Sequence, residues 1–186
     1  MDSNFEVRSI LQELDRTVSS VDLGSMERFS RALLDAKRIF VAGSGRSGLM
    51  MRAFAMRLMH MGFSVFVAGD TTTPAIGKND LLVIGSGSGE TGAMAVFAGK
   101  AKALGARVAL LTTYPDSTIG KMADVLVCIP APARKGPRKA DTESIQPMGS
   151  LFEQSLLIVL DGVIMKLMLD KPVAIERMVK EHANLE

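Results

Sequence analysis

The chain has 186 residues, of which 47% are hydrophobic, and it carries 22 basic and 20 acidic side chains. This length suits one domain, which buries roughly 70% of the surface that its unfolded chain would expose. The formal net charge is only +2, and the lysines and arginines are spread along the sequence. Both features argue against the basic footprint of a nucleic-acid-binding protein.

The single cysteine, Cys128, has no disulfide partner, which indicates a reducing cytosol. No segment reaches the about 18 uninterrupted apolar residues of a membrane span, and the first ten residues lack the layout of a signal peptide. We therefore expect a cytoplasmic protein that binds neither a membrane nor nucleic acid. A mean hydropathy of +0.22 is high for a lone small domain and predicts a homo-oligomer.

Apolar residues at helical spacing predict two amphipathic helices, over residues 4–22 and 25–36, ahead of the first strand. Short apolar runs then alternate with helical segments: strand 38–43, helix 46–61, strands 63–67 and 80–85, helix 91–104, strand 106–112, a short helix 117–123 and strand 124–129. The strands lack a polar alternate face, as in a parallel sheet that is covered on both sides. The pattern predicts a three-layer α/β sandwich with right-handed crossovers.

The last third of the chain is predicted as a loop followed by helices. Residues 131–149 contain three of the seven prolines and form a long loop, which is usually a functional or mobile feature. A long helix follows over 150–169, and Pro172 helps to break it before a last helix over 172–183. We therefore expect a single domain made of N-terminal helices (4–36), an α/β core (38–130), this loop and C-terminal helices (150–183).

Two loops rich in glycine and serine follow predicted strands and lead into helices. Their candidate binding residues are Ser44, Gly45, Arg46 and Ser47 in the first loop, and Ser86, Gly87, Ser88, Gly89, Glu90 and Thr91 in the second. A helix start offers unpaired N–H groups and a positive dipole end, and hydroxyls donate further hydrogen bonds to an anion. Either loop alone could be a simple strand-to-helix turn. Two such loops at the carboxyl edge of one parallel sheet predict a phosphate site.

Nucleotide binding is the alternative for these loops. The first loop satisfies the G-x-G-x-x-G pattern of dinucleotide-binding enzymes, and Asp70 stands at about the distance of their ribose-binding acid. However, there is no room for a second domain to hold a hydride acceptor, and the hydroxyl-rich second loop suits a monophosphate better. Neither loop has the Gly-Lys-Ser/Thr of a nucleotide-hydrolysing loop.

Glu153 is the carboxylate best placed to act as a general base. Leucine or isoleucine follows it three, four, seven and eleven residues on, which puts it on the buried stripe of its predicted helix. The alternative is that Ser150 and Glu153 form a capping box that only satisfies the helix start. Arg46 could contact a phosphate bidentately or point to solvent.

The two histidines, His60 and His182, and one cysteine cannot make a convincing metal site. A histidine such as His60, at the end of an apolar helix, is more often structural than catalytic. His182 lies near the carboxyl terminus and becomes relevant only if the pocket of a neighbouring subunit receives it.

Five segments together resemble the sugar isomerase (SIS) domain and, within it, the 6-phospho-3-hexuloisomerase family: VAGSGRSG, MRLMHMGF, LLVIGSGSGET, QPMGSLFEQ and KEHANLE. The resemblance covers nearly the whole chain. It implies a five-stranded parallel sheet between helices, a homotetramer and no metal or organic cofactor. The implied activity is conversion of 3-hexulose 6-phosphate into fructose 6-phosphate in formaldehyde fixation, by the ribulose monophosphate pathway.

The same resemblance implies a role for each candidate residue. Ser47 and residues 86–91 are implied to bind the substrate, with Ser86, Ser88 and Thr91 on its phosphate. Glu153 is implied to be the base that moves a proton from C2 to C3 through a cis-enediol, and His60 and His182 match histidines proposed near the family's site. Other isomerases of this fold, acting on arabinose 5-phosphate or a heptose phosphate, and a non-catalytic sugar-phosphate sensor are the alternatives.

Overall fold

The computed structural model describes residues 5–132, 144–171 and 175–185. Its helices are α1 (Phe5–Ser19), α2 (Leu23–Asp35), α3 (Gly45–His60), α4 (Gly92–Ala103), α5 (Ser150–Asp170) and α6 (Ile175–Lys180). Its strands are β1 (Ile39–Gly43), β2 (Val65–Val67), β3 (Leu81–Gly85), β4 (Arg107–Thr112) and β5 (Val125–Cys128). Part of the predicted loop, residues 133–143, lies outside the described residues.

The five strands form one sheet in the order β2-β1-β3-β4-β5, and every neighbouring pair is parallel. The chain therefore runs outward from β1 to β2, returns to β3 on the other side of β1, and continues to β5. The order reverses between β1 and β3. Such a switch point opens a crevice at the carboxyl ends of the two strands, where ligands bind in open α/β sheets.

Alternate side chains of each strand enter two separate cores. Ile39 and Val41 of β1 face a core built with α1, α2, α3 and α5, whereas Phe40 and Ala42 face a core built with α4. Burial on both faces explains why the strands are apolar without alternation. The predicted α/β fold, with its parallel five-stranded sheet between helices, is confirmed.

Two predicted helices differ from the observed ones. The short helix expected over 117–123 is a single 3₁₀ turn, Gly120–Met122. Met122 and Ala123 donate their backbone N–H groups to the carbonyls of Ile119 and Gly120, three residues earlier, and this spacing is that of a 3₁₀ turn and not of an α-helix. The last helix was expected over 172–183, but α6 ends at Lys180, before His182, and residues 172–174 lie outside the described residues.

Within the described parts of the chain, no helix combines the length and the apolar character needed to cross a membrane.

Candidate active site

The first loop leads directly from the end of β1 into α3. Gly45 has a φ of +58°, which favours glycine, and a Cβ on Gly48 would lie 2.7 Å from the carbonyl oxygen of Gly43. Only glycine at position 48 therefore lets the first turn of α3 pack on the strand end. Ser44 is the N-cap residue, and its side chain makes no capping hydrogen bond within the described structure. The first N–H groups of α3 are left for a ligand.

The second loop is held by its own hydroxyl groups. The hydroxyl of the buried Ser86 lies 3.0 Å from that of Thr91, and it accepts the N–H of Gly89 at 3.2 Å. Gly89 has a φ of +62°, and a Cβ there would collide with the hydroxyl of Ser117. Thr91 is the N-cap residue of α4, but among the described residues its hydroxyl caps no helix N–H group. The start of α4 is therefore open as well.

The two open helix starts are neighbours, because β1 and β3 pair directly and Gly43 is in register with Gly85. Both helix dipoles point their positive ends at the same crevice. The exposed Ser44 and the half-buried Ser47 border it from the first loop, and the half-buried Ser88 borders it from the second. This arrangement can bind a phosphate group through main-chain N–H groups and hydroxyls.

Glu90 of the second loop and Asp70, the candidate ribose-binding acid, are both engaged with other residues. The Glu90 carboxylate accepts the N–H of Thr118 at 2.8 Å, and hydrogen bonds from the Thr118 side chain and backbone lower the pKa of Glu90. Asp70 accepts two hydrogen bonds from Arg52, at 2.6 and 3.2 Å. Asp70 is therefore held in an exposed ion pair with Arg52.

Glu153 lies in the first turn of α5, with a side chain that is 18% exposed. The capping box is wrong, because the N-cap residue of α5 is Gly149 and Ser150 is already helical. The Ser150 hydroxyl instead accepts a hydrogen bond from Nη1 of Arg46 at 2.9 Å. The same Nη1 lies 3.2 Å from Oε2 of Glu153, so Arg46 neither points freely to solvent nor stands alone in the crevice.

Helix α5 brings Glu153 to the phosphate loops through close packing. A Cβ on Gly87 would lie 3.1 Å from the ring of Phe152, and one on Gly85 would lie 2.9 Å from the side chain of Leu156. The absence of side chains at these two loop positions therefore lets the first turns of α5 rest on the second loop. The result is a partly buried carboxylate beside the two open helix starts, where it could act as a general base.

The histidines lie at the other end of the molecule. His60 is the last residue of α3, about 22 Å along the helix axis from Gly45 at 1.5 Å per residue. His60 is 2% exposed, and its ring stacks on that of His182 at 5.4 Å between centroids. Burial, together with the nearby Arg57, lowers the pKa of His60. The fold of one chain thus brings the two histidines together but separates both from Glu153.

Two sets of contacts could not be predicted from the sequence. They are those of Glu153 with Arg46 and those of Glu13 with residues 144–146. More than a hundred residues separate the partners in each case. The periodicity around Glu13 indicates only that it belongs to an amphipathic helix.

Comparison with known proteins identifies the family. The SIS domain matches residues 32–158, more than half of the chain. The chain belongs to the SIS domain family. It is 46% identical to a 3-hexulose-6-phosphate isomerase of Bacillus subtilis (strain 168), over 97% of each chain. It is also 46% identical to one of Mycobacterium gastri, over 95% of this chain and 88% of the relative.

A solved structure agrees with these relatives. It is that of a hypothetical protein from Methanococcus jannaschii, for which the structure infers a molecular function of 3-hexulose-6-phosphate isomerase. The two chains are 31% identical, with a TM-score of 0.83 over 97% of this chain and 99% of the other. Within the SIS family, the chain belongs to the 6-phospho-3-hexuloisomerases, so the resemblance is confirmed.

Replacing Gly48 by alanine should disrupt the phosphate seat, because the added methyl group pushes the first turn of α3 away from β1. We expect the dissociation constant for inorganic phosphate, measured by calorimetry, to rise at least about tenfold, equivalent to 1.4 kcal/mol. Gly99→Ala is the matched control, since a Cβ at that position in α4 meets no atom within 4 Å. Equal phosphate affinity in the two variants would contradict this assignment of the seat.

Proposed function

We propose that the protein interconverts 3-hexulose 6-phosphate and fructose 6-phosphate. One observation carries this proposal: the partly buried carboxylate of Glu153 lies at the crevice where two uncapped helix starts meet. The 46% identity to 3-hexulose-6-phosphate isomerases over nearly the whole chain supports the choice of substrate.

The phosphate of the substrate binds at the starts of α3 and α4. Hydroxyls of Ser47, Ser86, Ser88 and Thr91 donate hydrogen bonds to its oxygens, and the main-chain N–H groups of Gly45 and Gly87 belong to the same two loops. Ser86 and Thr91 now hydrogen-bond each other, which holds both hydroxyls at the crevice. The phosphate thus fixes one end of the sugar, so that the carbons to be isomerised are held in a defined position.

Glu153 acts as the base. It removes the proton from C2, next to the C3 ketone, and electrons of the broken C–H bond form the cis-enediol. Glu153 returns the proton to C3, while the C3 oxygen gains a proton to become a hydroxyl and the C2 hydroxyl loses one to become the ketone, so that no atom is gained or lost. Arg46 orients the Glu153 carboxylate at 3.2 Å and can turn toward a phosphate oxygen when substrate enters.

A donor is needed for charge that develops on the substrate oxygen, and we propose that a histidine from another subunit supplies it. His60 and His182 lie too far from Glu153 of their own chain to do so. A homotetramer with active sites at subunit interfaces would bring a histidine of one subunit close to Glu153 of another. Exposed apolar side chains support self-association, among them Leu49 and Met56 of α3 and Met165 and Leu169 of α5.

We place the enzyme in the cytoplasm and in the ribulose monophosphate pathway, where the reaction serves formaldehyde fixation. The unpaired Cys128 agrees with a reducing compartment.

Replacing Glu153 by glutamine should lower kcat for 3-hexulose 6-phosphate about 10²–10⁴-fold and leave KM nearly unchanged, because the amide cannot accept the proton. Turnover is followed by coupling fructose 6-phosphate formation to an indicator enzyme. Asp161→Asn, an exposed change on the same helix, is the control and should retain wild-type turnover. Binding of substrate without turnover by the wild-type protein would favour a sensor, and full turnover in Glu153→Gln would remove that residue from the mechanism.

Mixing two inactive variants tests the shared site. After subunit exchange, hybrids of Glu153→Gln and His182→Ala should regain part of the activity, because some sites then combine an intact Glu153 with an intact His182 from a neighbour. Hybrids of Glu153→Gln and Ser86→Ala provide the control, since both residues act from one chain and no recovery is expected. If the first mixture is no more active than its parents, His182 does not serve a neighbouring subunit.

A further inference from the structure

We infer that Glu13, on α1, is a positioning residue that fixes residues 144–149 and thereby sets the place of the Glu153 carboxylate. The inference rests on the proposed role of Glu153 as the base. Residues 144–149 are the last part of the 131–149 loop and lead directly into the first turn of α5, so they determine where that helix begins.

Glu13 accepts three hydrogen bonds from this short segment. Its Oε2 accepts the hydroxyl of Ser144 at 2.9 Å and Nε2 of Gln146 at 3.1 Å, and its Oε1 accepts the backbone N–H of Ile145 at 2.9 Å. The Ser144 hydroxyl in turn accepts the N–H of Gln146 at 3.0 Å. One carboxylate therefore fixes three consecutive residues, with main-chain and side-chain donors on both of its oxygens.

The charge of Glu13 strengthens this anchor. Burial favours the neutral acid, but the hydrogen bonds from Ile145, Gln146 and Ser144, aided by the charge of Arg16, outweigh it and lower the pKa of Glu13. The side chain is consequently ionised at neutral pH, and its hydrogen bonds are of the strong, charge-assisted kind.

Gln146 depends on this anchor in particular. It is 4% exposed, and its Oε1 has no hydrogen-bond partner in the described part of the chain. Its amide group is therefore held through Nε2, which is the atom that Glu13 binds. A buried amide that loses this bond would have to move or bury a second unpaired polar atom.

Hydrogen bonds fix the position of Glu153 relative to residues 144–149. The carbonyl of Pro147 accepts the N–H of Ser150 at 3.2 Å, and the carbonyl of Gly149 accepts the N–H of Glu153 at 3.0 Å. Between them, Met148 has a φ of +60°, a left-handed conformation that a non-glycine residue keeps only when the surrounding structure imposes it. Met148 is constrained by helix α5, which follows it, and by Glu13, which binds the residues before it.

The Glu153 carboxylate itself lies against this segment. A Cβ on Gly149 would be only 3.6 Å from Oε1 of Glu153, so the backbone of the segment forms one wall beside the reacting oxygen. A shift of residues 144–146 therefore moves both the start of α5 and this wall. Because proton transfer is sensitive to small displacements of the base, the expected effect is on turnover and not on phosphate binding.

The test replaces Glu13 by glutamine, which keeps the length of the side chain but has only one acceptor oxygen. We expect kcat for 3-hexulose 6-phosphate to fall about tenfold while KM stays within twofold, since the phosphate loops do not contact Glu13. Glu6→Gln, the same chemical change at an exposed position in the first turn of α1, should leave both constants unchanged. The assay temperature is chosen at least 15 °C below the unfolding midpoint of each variant, so that loss of folded protein does not lower kcat.

Two further variants test the inference independently of the stability of Glu13→Gln. Ser144→Ala removes one of the three donors and should lower kcat by about twofold to fivefold, even if Glu13→Gln proves too unstable to assay. In the Glu153→Gln background, Glu13→Gln should cause no further loss, because there is no base left to position. Wild-type kcat in both Glu13→Gln and Ser144→Ala, or full additivity with Glu153→Gln, would overturn the inference. Absence of turnover in the wild-type protein would instead refute the proposed function.

Discussion

The proposed site depends on one constraint, which is that two helices begin directly at the ends of two neighbouring strands. Glycine makes this possible at Gly48, where a side chain would collide with the carbonyl of Gly43, and at Gly89, where it would collide with Ser117. Because β1 and β3 pair at the switch point of the sheet, the two open helix starts face one crevice. In the proposed site, the backbone at these two helix starts binds the phosphate group.

The proposed base comes from a different part of the chain. Helix α5 packs on the second loop through Phe152 and Leu156, which brings Glu153 to the crevice in a partly buried setting. Arg46 of the first loop lies 3.2 Å from the same carboxylate and links the phosphate seat to the base. In the proposed mechanism, substrate binding and proton transfer therefore share one electrostatic network, and the hydrogen bonds of Glu13 to residues 144–146 hold the segment that leads into α5.

Much of the fold could be predicted from the sequence, because strands that are buried on both faces appear as short apolar runs. The positions of the two loops at strand ends could be predicted from their glycine clusters, and the place of Glu153 on α5 from the apolar residues that follow it. Contacts between distant segments were not visible. The predicted capping box at Ser150 was wrong because the Ser150 hydroxyl accepts a hydrogen bond from Arg46, a contact that the sequence does not show. The α-helix expected at 117–123 was wrong because the segment closes with hydrogen bonds three residues apart, from Met122 to Ile119 and from Ala123 to Gly120.

A crystal structure with fructose 6-phosphate bound tests the central claim most directly. The account predicts the phosphate oxygens at about 3 Å from first-turn N–H groups of both α3 and α4, with hydroxyls of the second loop as further donors. It also predicts C2 and C3 of the sugar facing the Glu153 carboxylate. A phosphate bound away from the two helix starts, or a sugar whose C2 and C3 lie beyond the reach of Glu153 in every subunit, would contradict it.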